Sequence, residues 1–177
     1  GVDLPGEKRG MIPNDKYYDK NYNGSWNGLT IISIAIGQGE VTATPLQIAN
    51  LGATIANRGY FITPHVVKDI EDEALDSLYT TKRYTKVSEK HYETVVQGMR
   101  AAVTGGTCRA ANLPGLDVCG KTGTAQNKGK DHSAFMGFAP MNNPKIAVAV
   151  YVENGGWGAT YGVPIGALIM EKYLNGT

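Results

Sequence analysis

Cys119-Gly120-Lys121-Thr122-Gly123-Thr124-Ala125-Gln126 is the stretch on which the fold turns. Residues 120 to 125 hold one cation, two hydroxyls and two glycines. Two folds compete for them. From Gly115 to Thr122 the letters satisfy G-x-x-x-x-G-K-[ST], the phosphate loop of an α/β nucleotide-binding fold. Such a loop must follow a strand and open a helix whose N-terminus holds the anion. Here a helix and Leu113-Pro114 come before it, and Gly123 to Asp131 carries no apolar helical period. Leu116-Asp117-Val118-Cys119 suits the entry to a strand better than a loop around phosphates. The segment is therefore predicted as a strand from Val118 to Ala125. At a sheet edge its bare backbone could pair with an extended ligand. The lysine would supply positive potential, and the hydroxyls would donate to a carboxylate.

Working outward, Ser133 to Ala139 alternates Ala134, Met136 and Phe138 against Phe135 and Gly137. Pro140 to Pro144 is a turn, and Ile146 to Glu153 is a second strand, so the two form a hairpin. A final helix is predicted from Thr160 to Leu174. Upstream, Ser88 caps a helix with an apolar stripe of Tyr92, Val95, Val96, Met99 and Val103, ended by Gly105-Gly106. An earlier helix starts at Thr44-Pro45 with Gln47 completing a capping box, and ends at Gly59. Its inner face is predicted as Ile48, Leu51, Gly52 and Ile55, with Gly52 marking close helix packing. Phe61 to Ile70 reads as extended, and Glu71 to Lys86 as a polar surface excursion. Residues 1–28 read as an ordered loop weighted by Tyr17, Tyr18, Tyr22 and Trp26. Leu29 to Ile36 is an apolar, β-branched run that stops at Gly37-Gln38-Gly39. The pattern is α+β, an antiparallel sheet flanked by helices.

Composition narrows the function. The 177 residues suit one domain, 1–177, and the formal net charge of +1 gives no basic excess for nucleic acid. The longest apolar run, Ile146 to Val152, falls far short of the ~20 residues that span a bilayer. The opening Gly1-Val2-Asp3-Leu4-Pro5-Gly6 is neither a signal peptide nor an initiator methionine, and reads as part of something longer. His65 and His91 have no ligand-type spacing, and His132 is read as a turn residue beside the Lys121 strand, so no metal and no cofactor is expected. Two cysteines fit neither a disulfide-dense scaffold nor a zinc site. Cys108 and Cys119 flank a ten-residue loop; they are predicted to come close enough to form a disulfide, the alternative being two small buried hydrophobes.

Five pieces occur in order: Gly-Val-Asp-Leu-Pro-Gly-Glu at 1–7, Ile36-Gly37-Gln38-Gly39, Thr44-Pro45-Leu46-Gln47, the stretch from Cys119 to Gln126, and Gly137-Phe138-Ala139-Pro140. The series resembles the class B penicillin-binding proteins, most closely the penicillin-binding protein 2 group of the rod-elongation machinery, and K-T-G is the third of that family's motifs. The resemblance implies the C-terminal part of a penicillin-binding/transpeptidase (serine β-lactamase-like) fold. The first motif, S-x-x-K, is absent: none of Ser25, Ser33, Ser77, Ser88 and Ser133 has lysine three residues on. Ser25-Trp26-Asn27 matches the second motif by letters but stands on the wrong side of the Asp-Leu-Pro-Gly segment, and is read as coincidence. The chain is thus expected to be the third-motif half of a serine-type D,D-transpeptidase, inactive alone.

By the same resemblance, the parent cross-links peptidoglycan stem peptides and is acylated by β-lactams. Lys121 would be catalytic, placing its ammonium by the second-motif serine and the substrate carboxylate. Thr122 and Thr124 would offer hydroxyls to that carboxylate, Gly123 would keep the strand surface open, and the Thr124 N–H would form half the oxyanion hole. Expected partners are the stem peptide, β-lactams, the upstream remainder of the domain and a membrane polymerase of the elongation machinery. The expected location is the outer face of the cytoplasmic membrane, anchored upstream. A penicillin-sensing receptor domain and a β-lactamase relative share the K-T-G element and remain alternatives, as does, remotely, the phosphate-loop NTPase.

Overall fold

Asn14 starts a helix where the sequence suggested a loop. In the computed structural model, which describes residues 1–176, its side chain accepts the Tyr17 amide at 3.0 Å. Helix α1 then runs Asp15–Tyr22, with Asp15 complementing the positive end of its dipole. Tyr18, on its inner side, is fully buried against the rings of Tyr17, Tyr22 and Trp26. The Tyr18 hydroxyl donates to Glu40 Oε2 at 2.7 Å, and the Tyr22 hydroxyl donates to Oε1. Burial first, and the Glu40 bond second, push the Tyr18 phenol up to about 12. The bonds from Tyr22 and Tyr18 hold the Glu40 carboxyl below its usual value. The apolar run that follows is also a helix, α2, Gly28–Ala35, despite its β-branched residues. Asn27 and Thr30 form a capping box that offsets their weak helix propensity. No residue of α2 is buried. These elements and the Met11–Thr42 bridge form one compact unit, Lys8–Thr44.

The second unit joins Gly1–Glu7 to the chain from Pro45 onward. It begins with α3, Pro45–Ala56, followed by a two-residue strand β1, Tyr60–Phe61. The polar excursion holds a single-turn helix, α4, Ser77–Thr80, and a strand β2, Arg83–Tyr84, antiparallel to β1. Helix α5 spans Lys90–Thr104 without a side-chain cap from Ser88. A 3-10 turn, Arg109–Ala111, leads to β3, Cys119–Ala125. Then come β4, His132–Ala139, β5, Ile146–Val152, and α6, Gly162–Asn175. The three long strands form one antiparallel sheet in the order β3-β4-β5. The segment that competes as a phosphate loop therefore runs into β3, with Gly120-Lys121-Thr122 inside the strand, and the next element is β4 and not a helix.

The alternation read in β4 sorts the core into two layers. Phe135 pairs with Thr122 and Val150, and this face packs with Val163, Ala167 and Met170 of α6. Phe138 pairs with Cys119, and that opposite face packs with Ala56 of α3 and Val96 and Met99 of α5. Tyr92, Val96, Met99 and Val103 are buried as predicted, but Val95 is 46% exposed. On α3 the buried positions are Gly52, Thr54 and Ala56, while Leu51 is 53% exposed. Gly52 does mark a close approach, but to the sheet: a Cβ there would stand 3.1 Å from Met136 Cγ. Asp3 ties the amino-terminal segment into this unit, accepting the Val66 and Val67 amides at 2.9 Å.

Candidate functional site at the β3 edge

The four residues expected to act together divide between the two faces of β3. Side chains alternate along a strand. Lys121 pairs with Met136 and Gly123 with Ala134, on the α3/α5 side of the sheet. Thr122 pairs with Phe135 and Thr124 with Ser133, on the α6 side. Lys121 is exposed and turns back on its own strand, its Nζ donating to the Thr122 carbonyl at 2.7 Å. The Thr122 hydroxyl lies 2.9 Å from that of Thr107. Thr124 Oγ1 accepts the Gly158 amide at 3.3 Å.

β3 is an edge strand, and its first half is wrapped. Arg100 of α5 donates to the Val118 carbonyl at 3.0 Å and pairs with Asp117 at 3.2 Å, fixing the entry. Cys108 is fully buried beside Val118 and Ala111. Burial raises its thiol, while the Thr107 hydroxyl, the Lys121 ammonium and the Thr122 N–H oppose that shift. The Thr122 carbonyl serves the Lys121 ammonium and not β4. By the antiparallel alternation Thr124 shares this outward phase, and Gly123 directs its amide to β4. Gly123 contributes bareness instead, since a Cβ there would stand 3.3 Å from that of Ala134.

The predicted disulfide is absent. Cys108 and Cys119 are both free and buried, and they belong to the two different core layers. Burial pushes the Cys119 thiol up to about 11. Each cysteine fills its own apolar layer, which the spacing of ten residues could not reveal.

The far end of β3 is backed by the segment before α6. Buried Ser133 donates to the Trp157 carbonyl at 3.0 Å and accepts the Gly162 amide at 3.1 Å. A Cβ on Gly158 would lie 2.5 Å from the Gly123 carbonyl oxygen, so this position must stay bare. Trp157, 74% exposed, borders an open groove of ≈ 510 Å³ with Lys130, Asp131 and Tyr161. His132 opens β4; its Nδ1 accepts the Asn154 amide at 3.0 Å and its ring lies against Tyr151. Thr107, Gly158 and Trp157 carry no motif, and only their placement in space brings them to the strand. Among the described residues no group of three or more His, Cys, Asp or Glu could hold a metal ion.

Comparison with known proteins bears on this geometry. The family model described as penicillin binding protein transpeptidase domain matches residues 1–173. The peptidoglycan D,D-transpeptidase MrdA of Acinetobacter baumannii is 35% identical, over 90% of this chain and 27% of that protein. MrdA of Haemophilus influenzae is 34% identical, over 99% of this chain and 30% of that protein. Among solved structures, Pseudomonas aeruginosa PBP2 in complex with WCK 5153 superposes with a TM-score of 0.84 at 36% identity, over 97% of this chain and 38% of that one. The complex of Helicobacter pylori PBP2 with MreC gives 0.83 at 28% identity, over 99% and 33%. The chain thus spans less than a third of the length of these two curated relatives.

Proposed function

Because the chain belongs to the penicillin-binding protein transpeptidase family, we propose that it is the third-motif half of a peptidoglycan D,D-transpeptidase. The observation that carries this is Lys121-Thr122-Gly123 on an edge strand of an antiparallel sheet, beside relatives that bear that activity in their names. In this reading a serine supplied by the rest of the parent attacks the penultimate D-Ala carbonyl of a stem peptide. D-Ala leaves with a proton, and an amine of a neighbouring peptide takes the acyl group from the ester. β-Lactams enter at the same point and stop at the acyl-enzyme.

Each residue has a task its geometry suits. Lys121 brings an exposed ammonium to the strand surface, where it attracts the terminal carboxylate and supports proton transfer at the neighbouring serine. The Thr122 hydroxyl sits at the edge as a donor to that carboxylate. Thr124 Oγ1 accepts the Gly158 amide, which holds its hydroxyl on the same face of β3 as that of Thr122. The outward phase of the Thr124 N–H suits an oxyanion donor. Gly123 leaves the surface open to an extended ligand.

The parent is proposed to work outside the cytoplasmic membrane with a polymerase of the elongation machinery. Helicobacter pylori PBP2 is known in complex with MreC, which supports such a setting. Among the described residues no helix is long and apolar enough to cross a membrane, so an anchor would come from elsewhere in the parent. The test is fluorescent penicillin labelling of the full-length parent and its Lys121→Ala variant. Stoichiometric labelling, slowed ~100-fold or more by the substitution, is expected for a group acting in proton transfer. A parent that takes no label ends the reading.

A further inference from the structure

Thr107 stands outside every motif of the chain, yet it is the residue that touches Thr122. Its backbone is gripped from both sides. The amides of Gly105, Gly106 and Cys108 bond to the carbonyls of Ala101 and Ala102 at 2.9–3.1 Å, closing α5. A Cβ on Gly106 would lie 2.9 Å from Ala102 Cα, so the turn sits tight against the helix. Cys108, next in sequence, is fully buried and anchors the other side. Between these anchors the Thr107 side chain is exposed at the edge of β3, with its hydroxyl 2.9 Å from that of Thr122.

The chemistry of that pair is specific. Each hydroxyl has one proton and two lone pairs. When Thr107 donates to Thr122, the Thr122 O–H is left over, and accepting the first bond narrows the directions it can take. One peptide along, the Lys121 ammonium is held on the Thr122 carbonyl at 2.7 Å. The Lys121 side chain leaves the opposite face of β3 and bends to its edge, where its ammonium adds positive potential beside the leftover donor, a combination that suits an anion. The same contact blocks the edge on the N-terminal side, so an extended ligand must end there and run toward Ala125.

We propose that Thr107 is a positioning residue: it fixes the Thr122 hydroxyl so that the two form the end-stop for the terminal carboxylate of an acyl-D-Ala-D-Ala peptide or a β-lactam. This rests on the acyl-transfer reading above. Without Thr107 the Thr122 side chain is released to turn about χ1, and the carboxylate meets an unordered donor. The effect falls on binding of carboxylate ligands, while the nucleophile and its activation are untouched.

The experiment uses the full-length parent and a fluorescent penicillin, with acylation followed against concentration. Thr107→Val removes the hydroxyl at nearly constant shape. It is expected to raise the half-saturating concentration roughly tenfold, the scale of one hydrogen bond to a charged group, and to leave the limiting acylation rate within about twofold. Thr107→Ser keeps the hydroxyl and is expected to bind within about twofold of the parent. Thr107→Val combined with Thr122→Val should cost no more than Thr122→Val alone, because residues acting as one unit are not additive. An unchanged melting temperature for Thr107→Val separates these effects from folding. A labelled parent indifferent to Thr107→Val, a loss confined to the limiting rate, or full additivity of the two substitutions overturns the proposal and leaves the acyl-transfer reading standing. A parent that never labels overturns both.

Discussion

The ring of Phe135 occupies the space that a side chain on Gly166 would need. A Cβ built at Gly166 lies 2.4 Å from Phe135 Cδ1. The same ring stands 2.6 Å from the Cβ positions of Gly120 and Gly137. One aromatic therefore locks α6, β3 and β4 together through three bare positions. This gives Gly120, buried at the head of the Lys121 motif, a packing duty.

Gly166→Ala sets two effects against each other. Alanine gains about 1 kcal/mol over glycine in a helix interior. Forcing a methyl into a filled core costs about 1–3 kcal/mol, and an approach this short belongs at the upper end. Net destabilisation of about 2 kcal/mol is expected from urea or thermal unfolding. Phe135→Leu should recover part of it in the double variant, because the smaller side chain vacates the clash. A Gly166→Ala protein more stable than the parent would mean that α6 packs elsewhere.

Asp3 yields a prediction about acid. The Val67 amide is the largest cause holding its carboxyl below the usual value, with Val66 adding to it and burial opposing. A carboxylate whose folded value is depressed contributes stability that is full above its unfolded value, near 3.9. That contribution is lost as the pH falls through the lower folded value. Amide exchange at Val66 and Val67, corrected for intrinsic rates, should therefore stay protected at pH 5 and lose protection below about pH 4. Asp3→Asn should show reduced protection already at pH 6. Equal protection in the variant at both pH values would show that the amides are held by something other than the charge.

Much of the second unit was legible because its signals are local. β4 shows one period-2 pattern over eight residues, and burial of Phe135 and Phe138 on opposite faces follows from it. Gly105-Gly106 ends α5 where the sequence says it should. Other features depend on what lies across from a residue. Leu51 and Val95 fit their helical stripes by number, yet both are exposed, because each stands about 100° around its helix from the neighbour that is buried, Gly52 or Val96. Residues 15–22 lack an apolar period and became a helix through one cap and one tyrosine cluster. At the site, the motif located Lys121 and Thr122, while the contact with Thr107 spans fifteen residues and has no signature in the chain.

The cysteines give a prediction independent of function. Two buried thiols, both raised by desolvation, react slowly because the thiolate is the reactive form. In the folded protein at pH 8 an aromatic disulfide reagent should release little colour over minutes. In denaturant it should titrate both thiols at once. Intact mass without reductant should match the fully reduced chain. A loss of two hydrogens, or prompt reaction of one thiol in the native state, would contradict the separate burial of Cys108 and Cys119.

The last prediction concerns the 177-residue chain by itself. Covalent acylation needs a nucleophilic oxygen, a base to take its proton, and donors for the developing oxyanion. In the reading proposed, the Lys121 ammonium, the Thr122 and Thr124 hydroxyls and an outward N–H would bind and polarise a ligand, and none of them forms an ester. Ser133 is the serine nearest these groups in the sheet, opposite Thr124, but it is buried and engaged by Trp157 and Gly162. No serine has a lysine three residues on to activate it. The isolated chain should therefore take no covalent label from fluorescent penicillin, under conditions in which the full-length parent labels completely. Stoichiometric labelling of the short chain, mapped to one of its five serines by peptide mass, would mean that the nucleophile lies within it and that the division of labour proposed for the parent is wrong.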